Sequence, residues 1–341
     1  MANLSESMAW LARSDGSVVI GRGPFEAVAE MPASATAFYV RDFALLDQHP
    51  WKIPAALEVI SSGEFAAQHA AEPPPQCQWQ ALDAAPFAAV FHEVMAAIHA
   101  GRFEKTVPVV TETGCCEHAP GAAISAAMAR QTAPLYSFGW SQGHTGFAGA
   151  TPELLVSLVG LQLETMALAG TARRDERDVF SVDEKEIREH EYVAQSLVAK
   201  LTDLGHLQRR PRDILDLGSI VHFLTLLQLD LHQPQSPETL VKRLHPTPAL
   251  GPLPRNAKTL AMLLEWRTRL GCPAEFGAPF GVWHDGRFDA VVAIRGIWWN
   301  GRQLILPAGC GVIEPSRLVN EWRELRLKRE AVKAGVRITS T

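Results

Sequence analysis

Two pairs of glutamates stand out, Glu186 with Glu189 and Glu321 with Glu324. At about 100° per residue on a helix, positions three apart point the same way, so each pair presents two carboxylates side by side. Like charges so placed repel by roughly a few tenths of a kcal/mol on an exposed helix, and by more when buried. A single Glu-x-x-Glu reads first as a solvated face. Two such pairs on separate helices admit a second reading, a carboxylate cage for a hard divalent cation. Mg2+ takes one or two direct carboxylates, keeps several waters and completes its octahedron with an anionic substrate. Lys328 falls seven residues after Glu321, on the same helical face, where a cation could meet that anionic ligand.

Other residues are marked only by their surroundings. Lys105 opens the apolar run Thr106 to Val110, and Glu153 sits in Thr151-Pro152-Glu153-Leu154-Leu155, a charge about to enter a strand. A charge at a strand mouth is ordinarily solvated, and pattern alone singles out neither. His245-Pro246-Thr247-Pro248 is a stiff loop, because each proline fixes its own φ and restricts the residue before it. Such loops border pockets or simply turn corners. Ala169-Gly170-Thr171 and Ala308-Gly309-Cys310-Gly311 let a ligand approach the backbone and offer N–H groups to an anion, or are ordinary turns.

Helical periodicity places the carboxylate pairs. Ile187, Ala194, Leu197, Val198 and Leu201 form the apolar stripe of a helix over about Asp183 to Leu204, and a second helix runs from Arg317 to Ala334. Further helices are predicted from Phe87 to the stop at Gly101 and over Thr259 to Leu270. Between them lie strands at Thr145 to Gly149, Leu154 to Leu158 and Leu161 to Ala167. A hairpin is expected from Phe288 to Trp299, then Asn300-Gly301 as a type I′ turn, then Arg302 to Leu306. Helices and hairpins without a βαβα rhythm predict an α+β fold with large antiparallel sheets. Residues 1–70 read as a short β-rich lead-in packing on the core, Ala70 to Gln76 as a linker, and 80–341 as the core.

Composition narrows the class. The chain has 341 residues, 47% hydrophobic and 20% charged, the balance of a globular protein. Lys plus Arg is 32 against 37 for Asp plus Glu, a formal charge of −5 with no basic stripe, which argues against nucleic acid or an anionic membrane as partner. Met1–Ala12 has no signal-like apolar region, and no stretch approaches a membrane span. Neither G-x-G-x-x-G nor a P-loop is present. Five cysteines, an odd count without C-x-x-C spacing, suggest neither a disulfide framework nor a zinc site, and a reducing cytoplasm is the default.

Seven segments then occur in order: Thr151-Pro152-Glu153-Leu154-Leu155; Ala167 to Arg174; Glu184-Lys185-Glu186 with Glu189-His190-Glu191; Leu244 to Leu250; Val292-Ala293-Ile294-Arg295; Ala308 to Gly311; and Glu321-Trp322-Arg323-Glu324 with Lys328. The series resembles the chorismate-utilising enzymes, and most of all their isochorismate synthases; salicylate synthases and the large subunit of anthranilate synthase belong to the same family. The resemblance covers roughly Phe87 to Val336. It implies two antiparallel sheets packed face to face with helices outside, and a Mg2+-dependent site between them.

The resemblance also implies roles. Glu189 and Glu324 would ligate Mg2+ directly, with Glu186 and Glu321 holding its waters. Lys328, with backbone N–H groups near Gly170, Thr171 and Gly309, would serve the ring carboxylate of chorismate, and Arg295 would fork onto the enolpyruvyl carboxylate. Members that add water at C2 have a lysine as general base, and Lys105 stands at that position. An ordinary lysine, with a pKa of about 10.4, is almost never neutral at pH 7, so such a base needs burial or neighbouring cations. Glu153 would protonate the departing C4 hydroxyl, which requires a raised pKa, with His222 nearby. Ala169 stands where aminodeoxychorismate synthases carry a lysine, which argues against that branch. The expectation is isomerisation of chorismate to isochorismate by a monomer without an obligatory amidotransferase subunit, feeding menaquinone or siderophore synthesis. Salicylate synthesis or amination is the alternative. Val110, Leu229, Pro307 and Cys310 depart from the family pattern and bear on pocket shape.

Overall fold

The computed structural model describes residues 7–338. Residues 1–6 and 339–341 lie outside the described residues, and with them half of the Met1–Ala12 stretch and the outer ends of the 1–70 and 80–341 units.

Seventeen strands join in one hydrogen-bonded network among the described residues, and the strand pairings are antiparallel. The network folds back into two layers. The first contains Leu154–Val159, Gln162–Arg173, Ile220–Leu231, Pro279–His284 and Arg287–Val292. The second contains Val109–Cys116, Tyr136–Gln142, Thr145–Thr151, Gly296–Asn300 and Gln303–Gly309. Ser17–Val28 and Trp51–Ser61 carry the pairing from one to the other, through Ala37–Val40 on the first and Met8–Ala12 on the second.

Apolar side chains fill the space between. Phe280 of the first layer meets Phe138 and Phe147 of the second at ring-centroid distances of 5.6 and 5.8 Å. Phe38, Leu229 and Trp298 extend the same core. The α+β class with large antiparallel sheets expected from the sequence is therefore the architecture observed. No helix is long and apolar enough to cross a membrane among the described residues.

Two helices position the carboxylate pairs. Glu184–Leu201 starts at Asp183, whose side chain accepts the Glu186 N–H at 3.0 Å, and buries Val193, Ala194, Leu197 and Leu201 in the main core. Leu318–Val336 packs Leu325 against Phe87, Val90 and Val94 of the Ala85–His99 helix. It is also keyed to the second layer by charge. Buried Arg329 pairs with Glu112 of Val109–Cys116, and Lys333 lies 2.5 Å from the other oxygen of the same carboxylate.

Three expectations need correction. The predicted strand Phe288 to Trp299 is two strands, Arg287–Val292 in the first layer and Gly296–Asn300 in the second, joined by a crossover with Arg295 at φ +57°. The turn that follows is not type I′ on Asn300-Gly301. Asn300 pairs with Gln303, so the loop is Gly301-Arg302 with only Gly301 at positive φ, 58°, which is the glycine-first preference of type II′. Finally, Cys77 and Cys116 form a disulfide, which the odd cysteine count argued against. Strand register decides this, since Cys77 stands directly opposite Cys116 in the pairing of Cys77–Trp79 with Val109–Cys116. Such a bond is at odds with the default of a reducing compartment.

The Glu112 cluster carries a prediction. Glu112→Gln leaves Arg329 and Lys333 without their anion in a largely dry setting, and should cost about 3 kcal/mol of unfolding free energy. Urea denaturation checks this, and an unchanged midpoint would show that the helix is held by apolar packing alone.

Candidate active site

The site lies where two paired strands leave one layer together for the other. Thr145–Thr151 belongs to the second layer and Leu154–Val159 to the first; Glu153 sits in the step between them. Arg295 sits in the corresponding step of the neighbouring chain segment. The steps are stitched together, with Val292 N–H donating to Glu153 O at 3.0 Å and Ala150 N–H to Arg295 O at 3.2 Å. One carboxyl and one guanidinium thus face a common cleft because their strands cross in tandem. Burial pushes the Glu153 carboxyl up to about 7, against the opposing pull of Lys105, Lys328, the Thr247 hydroxyl and Arg295.

Arg295 is set by His222. The guanidinium only donates, so its 2.8 Å contact from Nη2 makes His222 Nε2 the acceptor. Nδ1 then carries the proton and donates to Gly170 O at 2.7 Å, with Thr171 Oγ1 at 3.1 Å. Burial first, then the charges of Arg295 and Lys328, push the imidazole well below its ordinary value, so it stays neutral. Gly170, at φ +76°, makes the bulge that turns this carbonyl toward the ring, where Gln162–Arg173 slips register against Ile220–Leu231.

The two helices bring four glutamates to the opposite side. Lys185 stands among them, its Nζ 2.8 Å from Glu186 Oε1, 3.3 Å from Glu189 Oε2 and 3.4 Å from Glu321 Oε1. Glu189 is shared with Lys105, fully buried, at 3.1 Å. Glu324 pairs with Lys328 at 2.5 Å, and Lys328 also donates to Gly309 O at 2.9 Å. These environments separate the carboxyls. Burial works to raise Glu189, but Lys105, Lys185 and Lys328 outweigh it and hold it at about 2. Burial pushes Glu186 to about 7 and Glu321 to about 8. Lys185 is held above its ordinary value because Glu189, Glu321, Glu186 and Glu324 outweigh its burial.

The groups divide between two cavities. An inner one is lined by Glu153, Gly170, Thr171, Glu189, His222, Arg295, Gly309 and Lys328. An outer cleft, between the starts of the two helices, is lined by Lys185, Glu186, Glu321 and Glu324. Lys105 lines neither. It lies behind Gly311, where a Cβ would come within 2.0 Å of Glu189 Oε1 and 2.7 Å of Lys105 Cε. The sequence offered Gly311 as room for a ligand; it is room for the ion pair. Thr171 N–H is taken by Glu186 Oε2 at 2.9 Å.

The His-Pro-Thr-Pro loop contributes Thr247 to Glu153, and Ala249 and Leu250 beyond it line the inner cavity. His245 is not part of that cavity: it is buried against Phe43, bonded to Phe43 O at 2.8 Å, and pushed down to about 3 by burial. Of the four departures from the family pattern only Pro307 lines the cavity. Leu229 belongs to the interlayer core, and Val110 and Cys310 to the cluster beneath the Ala85–His99 helix.

Among the described residues no three His, Cys, Asp or Glu side chains meet as a ready-made metal site. The donor chemistry nevertheless fits a hard cation. All four groups are carboxyls, and Glu321, 1% exposed, has no hydrogen bond of good geometry beyond its 3.4 Å ion pair with Lys185. Lys185, which the sequence reading gave no role, stands at their centre. One signal pointed to it: a lysine in the first turn of a helix opposes the macrodipole.

A family model described as "Chorismate binding enzyme" matches residues 27–336, and the chain belongs to that family. It is 32% identical over 195 residues to the isochorismate synthase EntC of Escherichia coli K12, covering 53% of this chain and 48% of that protein. It is 27% identical over 312 residues to the salicylate biosynthesis isochorismate synthase of Pseudomonas aeruginosa, covering 88% and 62%. The chain thus spans about half the length of the first relative and less than two thirds of the second. In fold it resembles a 2,3-dihydroxybenzoate-specific isochorismate synthase, DhbC, from Bacillus anthracis, with a TM-score of 0.81, 18% identity, and coverage of 99% of this chain and 98% of that one.

Two predictions follow from the geometry. Gly311→Ala forces the Lys105–Glu189 pair apart and should cost about 1–3 kcal/mol in denaturant unfolding; a variant as stable as the parent would show slack around the pair. Glu153 has a folded-state value of about 7 against an ordinary 4.5, so the native state keeps a proton that the unfolded chain loses. Its stabilising share is complete below the ordinary value and disappears as pH rises through 7. From about pH 5 to pH 8, Glu153→Gln should therefore gain about 2–3 kcal/mol relative to the parent. A difference independent of pH would mean that Glu153 is ionised throughout.

Proposed function

We propose that this chain isomerises chorismate to isochorismate, with water entering at C2 as the C4 hydroxyl leaves. The observation that carries this reading is Glu153, a carboxyl held at about 7 inside a cavity that also presents Arg295 and Lys328, two cations for an anionic substrate, and the carboxylate of Glu189. At neutral pH a useful fraction of it holds the proton that a departing hydroxyl needs. The relatives it matches at 32% and 27% identity carry the name isochorismate synthase, which supports the same reading.

In this reading each residue has one task. Arg295, fixed by neutral His222, receives the enolpyruvyl carboxylate through its remaining N–H groups. Lys328 neutralises the ring carboxylate from the opposite wall. Glu153 gives its proton to the C4 hydroxyl. Lys105 would take the proton of the incoming water as the neutral amine, so it must first give up its own proton and leave its 3.1 Å contact with Glu189 for the cavity. Mg2+ would be held by Glu189 and Glu324, with Glu186 and Glu321 on its waters, and would supply positive charge for the ring carboxylate. No amidotransferase subunit is needed, because water is the nucleophile.

The experiment is to incubate the protein with chorismate and Mg2+, with and without ammonium, and to separate the products by chromatography. Isochorismate alone is expected. Pyruvate with fluorescent salicylate would make the chain a salicylate synthase, and an ammonium-dependent product would make it an aminating enzyme. Lys105→Ala and Glu153→Gln should each lower turnover about 10²–10⁴-fold, with chorismate binding retained in calorimetry. Normal turnover in Lys105→Ala would remove the lysine from its role.

A further inference from the structure

Lys185 is unexplained by the acid, base and substrate-binding roles above. It occupies the second position of the Glu184–Leu201 helix, where the macrodipole disfavours a cation. Its ammonium nonetheless sits within 3.4 Å of carboxylates from both helices, Glu186 and Glu189 on its own and Glu321 on the other. Glu321 is 1% exposed, neither oxygen has a hydrogen bond of good geometry, and the Lys185 ammonium at 3.4 Å is its ion-pair partner. The same side chain is 22% exposed and lines the outer cleft, so a route outward is open to it.

We propose that Lys185 is an exchangeable internal counter-ion, holding the place among Glu186, Glu189 and Glu321 that a hard divalent cation would take, and swinging into the outer cleft when that cation binds. This rests on the metal reading above. The ammonium and the divalent ion would compete for Glu189, the carboxylate common to both, and the ion's waters would need the Glu186 and Glu321 oxygens that Lys185 now holds. Without any cation, three carboxylates largely removed from water would face one another, a costly arrangement. Lys185 therefore lets the metal-free protein fold, and lowers apparent metal affinity by the cost of moving it away.

The test uses the full chain and reads Lys185 directly. Amines are acetylated with acetic anhydride in short pulses, with no addition, with Mg2+, and with Mg2+ plus chorismate, and modification of Lys185 is quantified by peptide mass spectrometry. Calorimetry under the same conditions reports whether Mg2+ binds. Labelling of Lys185 should rise several-fold where Mg2+ is bound. Bound Mg2+ with unchanged or reduced labelling overturns the exchange while leaving the metal reading intact; absence of Mg2+ binding in every condition overturns both. Independently, Lys185→Met should bind Mg2+ about tenfold more tightly, and melt at a lower temperature without metal. Lys185→Arg, which keeps the charge, should bind Mg2+ no more tightly than the parent. Weaker binding by Lys185→Met would show that the ammonium supports the cation and would overturn the proposal. If Lys185→Met does not fold, the labelling of the parent chain decides.

Discussion

The Lys185 ammonium, shared among Glu186, Glu189 and Glu321, is the contact on which the rest of the site depends. A carboxylate removed from water costs several kcal/mol unless a cation meets it. This structure places four of them together from two helices. Three lysines answer: Lys185 at the centre, Lys105 behind Glu189, and Lys328 beside Glu324. Glu153, farther along the inner cavity, meets the same cost another way, by keeping its proton. Lys105, Lys185 and Lys328 together hold Glu189 ionised, whereas burial pushes Glu186 and Glu321 up to about 7 and 8.

The sheets serve this arrangement by parting company at one point. Two neighbouring segments cross from the first layer to the second side by side, hydrogen-bonded to each other as they go. Backbone hydrogen bonds continue through the step, from Val292 N–H to Glu153 O and from Ala150 N–H to Arg295 O, even though the strands are interrupted. Glu153 and Arg295 occupy those steps and look into the same space. Gly170 and its bulge supply the carbonyl that fixes His222, and His222 in turn fixes Arg295. Between the layers Phe280 packs on Phe138 and Phe147, which holds the two sheets together.

The outer cleft gives the carboxylate wall two faces. Glu189 and Lys328 are reached from the inner cavity, whereas Lys185, Glu186, Glu321 and Glu324 are reached from outside. A small cation and a ring-shaped anion can therefore approach one set of charges from different directions. Gly311 makes room for the ion pair, since a Cβ there would collide with both Glu189 Oε1 and the Lys105 stem.

By itself the sequence determined the α+β class, the helices that carry Glu186, Glu189, Glu321 and Glu324, and the ordered motifs that mark the family. These follow from local periodicity and spacing, which the chain carries without reference to its fold. It could not determine that Phe288 to Trp299 breaks at Arg295, because both halves have the same strand-forming composition and only the layer they pair with differs. Nor could it pair Cys77 with Cys116, which takes strand register, or reveal that Gly311 makes way for an ion pair and that Lys185 sits among carboxylates from a distant helix. Those are contacts between segments remote in the chain, and their energies exist only once tertiary packing has excluded water and brought unlike charges within reach.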